Sequence, residues 1–234
     1  MQEPVVFLPG TQCDERLFLP LWREMSLSDR RYVPLQWAET LEQMDGLTDY
    51  AVAGDRVHLV GFSMGGYIAS RFALANPRLV ASLTLIGFCS AGLTAAEKQH
   101  RQLVIRALEK GPLKAMPESR LVQMVNIDGV NAQQAIQSIR EMEQDLGSSV
   151  LKYHLQSASE RGDLTAALAN SGLKINLISA EFDQVAPLQK MQQMHQQIPG
   201  SRFILLADSG HMAPLESPGV LAQALYSLHS GANV

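Results

Sequence analysis

Short apolar runs alternate along this chain with stretches whose apolar positions recur every three or four residues. The runs cover residues 5–8, 32–35, 57–62, 83–88, 173–178 and 203–207. Each is continuous rather than alternating, the pattern of a strand buried on both faces of a parallel sheet. Helical patterns separate several of them. Ile68, Phe72 and Ala75 share one face of a helix that Asn76-Pro77 should stop. Residues 214–229 read as a closing helix with Leu221, Leu225 and Leu228 on one side. Alternating strands and helices predict an α/β fold, a doubly wound and mostly parallel sheet of about six strands with right-handed crossovers. Ligands of such sheets collect at the carboxyl ends of the strands.

One segment breaks the alternation. Residues 91–165 contain no strand-like run. Thr94-Ala95-Ala96-Glu97 has the form of a capping box, and the helix it opens should end at Gly111-Pro112. Asn131 is placed to cap a second helix, with Ile136, Ile139, Met142 and Leu146 at helical spacing before Gly147. Val150, Leu151, Leu155 and Ala158 suggest a third. The expected organisation is a core of residues 1–90 and 166–234 with a helical cap or lid, residues 91–165, inserted in it. An ordinary helical excursion packed away from any site is the alternative.

Composition narrows the class. Hydrophobic residues make up 46% of 234, enough for a large core, and the net charge is −4 from 19 Lys and Arg against 23 Asp and Glu. Without a basic excess to neutralise phosphates, neither a nucleic acid nor an acidic membrane is an expected partner. Cys13 and Cys89 lie far apart, outside any C-x-x-C arrangement, and read as reduced thiols. The start, Met1-Gln2-Glu3-Pro4, is acidic, and the first apolar run is too short for a signal peptide. No stretch approaches the ~20 apolar residues of a membrane span. A cytoplasmic location is expected.

Candidate chemistry centres on Gly61-Phe62-Ser63-Met64-Gly65, between an apolar run and a helical one. G-x-S-x-G arises by chance in roughly one chain in ten of this size, so its context carries the signal. A strand turning sharply into a helix leaves the middle residue on a strained bend with its side chain clear of the backbone. Glycines on either side avoid collision with the neighbouring elements. A serine held there can act as a nucleophile above the helix N-terminus, which favours negative charge.

Such a serine needs a base. Ala207-Asp208-Ser209-Gly210-His211 follows the last strand-like run, so His211 can face Ser63 from that strand's carboxyl end. An unperturbed imidazole titrates at about 6.5 and can accept and return a proton at neutral pH. His58 lies inside a strand; His100, His154, His195 and His229 lie in helical segments and read as surface or packing residues. Asp183, in Ala180-Glu181-Phe182-Asp183-Gln184-Val185-Ala186-Pro187, is the expected third member, fixing the imidazole tautomer. Its other possible role is N-capping or turn formation. Glu181 is a weaker candidate, Asp208 belongs to the turn, and the loop after the fourth run, Cys89-Ser90-Ala91-Gly92, holds no carboxylate. The order is Ser63, Asp183, His211.

These motifs, together with Leu8-Pro9-Gly10-Thr11 and Gly66, resemble the α/β-hydrolase superfamily in its capped, cofactor-free branch, over nearly the whole chain. Departures are Pro9-Gly10 where the family often has His-Gly, Ala180 where the acid motif often opens with Gly, and no leading hairpin. The resemblance implies an oxyanion hole of two backbone N–H groups, from Met64 and from Thr11, with Gln12 the alternative second donor. It implies hydrolysis of an ester or thioester through an acyl-enzyme on Ser63, with no metal and no cofactor. The partner is then a small-molecule acyl substrate. Phe18, Phe88, Cys89 and Met212 are candidate pocket residues. Methionines 64, 116, 124, 142 and 212 either adapt an apolar pocket or fill the core. Arg161-Gly162-Asp163 matches an adhesion tripeptide and reads as a chance turn.

The leading expectation is a carboxylesterase-like serine hydrolase for a small or medium acyl ester. A lyase or carbon–carbon hydrolase using the same three groups as a base is the second, and a non-catalytic small-ligand binding module the third.

Overall fold

The computed structural model describes residues 3–111 and 115–229. Met1, Gln2 and Pro112, used in the sequence reading, lie outside them. In chain order the elements are β1 Val5–Leu8, α1 Leu19–Arg23, β2 Arg30–Tyr32, α2 Leu41–Val52, β3 Val57–Phe62, α3 Met64–Ala75, β4 Val80–Ile86, α4 Ala95–Glu109, α5 Glu118–Met124, α6 Ala132–Ala158, α7 Thr165–Ala169, β5 Ile175–Ala180, α8 Leu188–Gln197, β6 Arg202–Leu206, α9 Ala213–Glu216 and α10 Pro218–His229.

All six strands are parallel, in the order β2-β1-β3-β4-β5-β6. The first strand lies one in from the edge; the chain winds outward to the edge strand β2, then crosses back to β3 and beyond. The alternating side chains of each strand feed two apolar clusters. Val5, Phe7, Val60, Phe62 and Ile178 point to the face that packs with α1, α9 and α10. Val6, Leu8, Leu59, Leu83 and Leu177 point to the face that packs with α2, α3 and α8. Both faces are covered, as the unbroken apolar runs require.

Several boundaries differ from the sequence reading. The second run was expected over residues 32–35, yet β2 ends at Tyr32. Val33 keeps one ladder bond to the Phe7 carbonyl, but Pro34 has no N–H and the chain turns at Leu35 into a single turn of 3-10 helix, Leu35–Trp37. The fourth run starts earlier and stops at Ile86, because Gly87 leaves the strand at φ +56°. The closing helix is two elements, since Pro218 interrupts it after Ser217.

The chain between β4 and β5 is helical. Thr94 and Glu97 form both bonds of the capping box: Thr94 N–H to Glu97 Oε2, 2.7 Å, and Glu97 N–H to Thr94 Oγ1, 3.2 Å. The α4 helix stops at Glu109, short of Gly111. The α5 helix had no expectation. The second and third expected helices are both present and meet in α6 at Gly147, whose φ 70° and ψ 179° are not helical, so α6 is two helices joined at a kink, as the sequence reading had it. Asn131 precedes it without capping; its Nδ2 donates instead to the Glu216 carbonyl, 2.9 Å. Leu121, Val125, Ile139 and Met142 of this segment belong to the same cluster as Phe7 and Phe62. Among the described residues, no helix is long and apolar enough to cross a membrane.

Candidate active site

The β3–α3 junction is built for close approach. A Cβ on Gly61 would lie 2.6 Å from the Gly65 carbonyl oxygen, and one on Gly65 would lie 2.2 Å from the Leu8 carbonyl oxygen. No side chain fits in either place, so the elbow can nest between β1 and α3. Ser63 sits on it at φ 51° and ψ −116°, a conformation that costs a non-glycine residue ~1–3 kcal/mol. Its amide bonds the Ile86 carbonyl, and its carbonyl accepts from Gly66 N–H, both at 2.9 Å. The strained backbone is held from both sides.

Parallel strands deliver three distant residues to the same sheet edge. His211 Nε2 lies 3.1 Å from Ser63 Oγ, and His211 Nδ1 lies 2.8 Å from Asp183 Oδ2. His211 and Asp183 are each 4% exposed. The other carboxylate oxygen of Asp183 accepts from the Val185 and Ala186 amides, 2.7 Å each. Burial pushes the Asp183 carboxyl up; the charge of His211, its hydrogen bond and the two amides outweigh that and hold it below the ordinary carboxylate value. One Asp183 oxygen thus lies at hydrogen-bond distance from the imidazole while the other closes a turn. Glu181 faces elsewhere, its Oε2 accepting from Asp208 N–H, 3.1 Å.

The loop after β1 is tied to α6. Gln12, at φ 54°, donates its N–H to His154 Nδ1, 3.0 Å, and its side-chain Nε2 to the Gly147 carbonyl at the α6 bend, 3.1 Å. With Nδ1 accepting, His154 carries its proton on Nε2 and donates it to the Leu35 carbonyl, 3.0 Å. Burial lowers its pKa from 6.5 to about 4, against a smaller rise from the Leu35 bond. His154 reads as packing from sequence alone. Its partner lies 142 residues away, which no local signal reveals.

A second tie holds the His211 loop. Glu216 Oε2 accepts from the Gly210 and Asn126 amides, 2.8 Å each, and Met212 N–H bonds the Met124 carbonyl, 3.1 Å. Burial raises the Glu216 carboxyl, with these amides opposing. The segment after α5 is thereby stitched to the loop that carries His211.

Beside Ser63 opens a cavity of about 280 Å³, whose lining includes Thr11, Met64, Phe88, Cys89 and Met194. Phe18 and Met212, also expected there, are buried elsewhere: Phe18 packs against the rings of Phe7 and Trp22, and Met212 opens α9. Met142 is core, while Met116 and Met124 pack partly buried against the same cluster. Among the described residues, no group of three or more His, Cys, Asp or Glu could hold a metal ion.

The sequence model of the alpha/beta hydrolase family matches residues 5–224. The chain belongs to that family. It is similar to a pimeloyl-[acyl-carrier protein] methyl ester esterase of Neisseria meningitidis serogroup C, 28% identical over 173 residues, which are 72% of this chain and 67% of that protein. It is also similar to a putative 2-succinyl-6-hydroxy-2,4-cyclohexadiene-1-carboxylate synthase of Bacillus subtilis, 26% identical over 182 residues, 70% of this chain and 62% of that one. The chain spans about half to two thirds of the length of the curated relatives that match most of it. Among solved structures, a thermophilic esterase from Thermogutta terrifontis superposes with a TM-score of 0.84, covering 99% of this chain and 90% of that one at 23% identity. That likeness is one of fold.

Proposed function

We propose that this hydrolase-family chain cleaves a carboxylic ester or thioester through an acyl-enzyme on Ser63. The observation that carries the reading is the continuous chain of hydrogen-bond distances from Ser63 Oγ through His211 to Asp183 Oδ2. His211 Nε2 takes the serine proton as Oγ attacks the substrate carbonyl, then gives it to the departing alcohol or thiol. Asp183 holds the imidazole with Nδ1–H pointing at it and stabilises the imidazolium. Water, deprotonated by the same nitrogen, releases the acid.

Two backbone donors stabilise the tetrahedral oxyanion. Met64 begins α3, so no preceding helical turn accepts its amide proton. Thr11 supplies the second rather than Gln12, because the Gln12 amide is consumed by His154 while Thr11 lines the cavity with Ser63. Each such donor is worth about 3–4 kcal/mol in the transition state. The helices of residues 91–165 act as a cap, tied at Gln12 and at Glu216 to the loops beneath.

A fluorophosphonate should label wild-type protein at Ser63, and Ser63→Ala should abolish both labelling and hydrolysis of p-nitrophenyl acetate. Turnover that survives the substitution rules the reading out. A second reading, carbon–carbon bond cleavage or a lyase reaction with the same groups acting as base, draws on the similarity to the Bacillus synthase. Rapid-quench kinetics separate the two, because only the acyl-enzyme route gives a burst of leaving group.

A further inference from the structure

The cavity beside Ser63 has a cationic wall contributed by the helical segment. Arg101, on α4, and Arg161, just after α6, both line it. Among the described residues, Arg101 makes one hydrogen bond, to the Ala158 carbonyl at 3.3 Å. The Arg161 guanidinium lies over the Phe88 ring, 5.7 Å from its centre, and its Nε is buried with no hydrogen-bond partner among the described residues. Neither has an ion pair among the described residues.

The carboxylates nearby are already committed. Glu97 Oε2 accepts from the Thr94 amide and hydroxyl, and its Oε1 faces Lys190 Nζ at 3.3 Å. Asp163 is exposed and accepts from Thr165 N–H, 2.7 Å. Burial lowers both arginines, Arg101 to about 10, with Arg161 adding repulsion to Arg101 and Glu97 opposing in each case. Two guanidinium groups thus share a partly desolvated wall with no carboxylate at ion-pair distance among the described residues, although Glu97 and Asp163 line the same cavity and Glu97 attracts both from farther away. Such an arrangement is costly by itself and is relieved by an anion that enters. The guanidinium fork matches the paired oxygens of a carboxylate or phosphate.

We infer that Arg101 and Arg161 form an anion subsite, so that the substrate is an ester carrying a carboxylate or phosphate on the part held away from Ser63. The inference rests on the ester-hydrolase reading for its substrate, but not for its binding site. Arg161 then has a task that the tripeptide Arg161-Gly162-Asp163 did not suggest. The Phe88 face orients the Arg161 guanidinium, its unpartnered Nε–H is left free to donate, and Arg101 provides the second donor set. Because the groups are only partly exposed, salt weakens the preference without removing it.

The test has two parts. Isothermal titration of glutarate, inorganic phosphate and uncharged dimethyl glutarate into the Ser63→Ala protein reads binding without turnover. One equivalent of glutarate or phosphate should bind, dimethyl glutarate at least tenfold more weakly, and adding Arg161→Met or Arg101→Met should weaken the anion at least tenfold. Arg161→Lys, which keeps charge and fold but not the fork, should fall between. In parallel, kcat/KM is compared for monomethyl glutarate and methyl pentanoate. The charged ester should be preferred at least tenfold, and the ratio should collapse towards one in Arg161→Met. Stronger binding of glutarate than phosphate identifies a carboxylate, the reverse a phosphate. If neither anion binds, or binding is unchanged in all three arginine variants, the inference is overturned while the hydrolase reading stands. If the anions bind through the arginines but neither ester is cleaved, the hydrolase reading fails and the subsite stands.

Discussion

At Gly87 the backbone turns out of β4 at φ +56°, and an added Cβ would lie 3.1 Å from His211 Nδ1 and 3.2 Å from Asp183 Oδ2. Gly87→Ala is therefore expected to strain the turn and push the two partners apart. A shift of ~1 Å costs about 10²-fold in rate, so kcat for p-nitrophenyl acetate should fall by about that factor; an unchanged kcat would show that the pair tolerates the methyl group. Asp183→Asn should cost more, about 10⁴-fold by analogy with serine proteases, because the amide favours the wrong tautomer. Single residues were legible where they carry a local signature. Ser63 stands between two glycines, and Asp183 and His211 each follow an apolar run. Gly87 was hidden inside an expected strand, and Arg101, Arg161 and Glu216 carry no signature of their own, since their meaning lies in what faces them across the fold.

Among the elements, α6 carries the most consequence. Its His154 is neutral in the folded chain, with its pKa lowered to about 4 against 6.5 when unfolded. Between those values the unfolded chain binds more protons, so the stability this group contributes is fully present above about pH 6.5 and is lost as pH falls through about 4. The full loss is about 3 kcal/mol from this group. Urea unfolding at pH 7 and pH 4 should therefore show a smaller drop for His154→Gln than for wild type; equal drops would remove His154 as the source. Most strands and the capped helix α4 were legible, because continuous apolar runs and the Thr94–Glu97 pair are local signals. The early end of β2 and the split closing helix turn on Pro34 and Pro218, whose missing amides outweigh the apolar pattern around them. The break between the two helices of α6 was legible as well, because a glycine at positive φ, Gly147, ends the first of them.

For the molecule as a whole, Leu121, Val125, Ile139 and Met142 of the inserted helices share a cluster with Phe7 and Phe62 of the sheet. One core predicts one cooperative transition. Ile139→Ala should destabilise the whole chain by ~2–5 kcal/mol, with far-ultraviolet circular dichroism and tryptophan fluorescence shifting together. Separate transitions would mean the helices unfold alone. Hydrogen bonds from Gln12 to α6 and from the Asn126 amide to Glu216 act in the same sense, joining the helices between β4 and β5 to loops beside Ser63 and His211. The α/β class and the inserted helical segment were legible from the alternation of patterns. The shared core was not, because it depends on where the bent α6 lands.

The central claim is a covalent intermediate on one hydroxyl. Wild-type protein mixed with p-nitrophenyl acetate and acid-quenched within milliseconds should yield a burst of about one p-nitrophenolate per chain, and peptide mass analysis should find a single acetyl group on Ser63. A linear time course with unmodified Ser63, from protein that still hydrolyses the ester, would contradict the account.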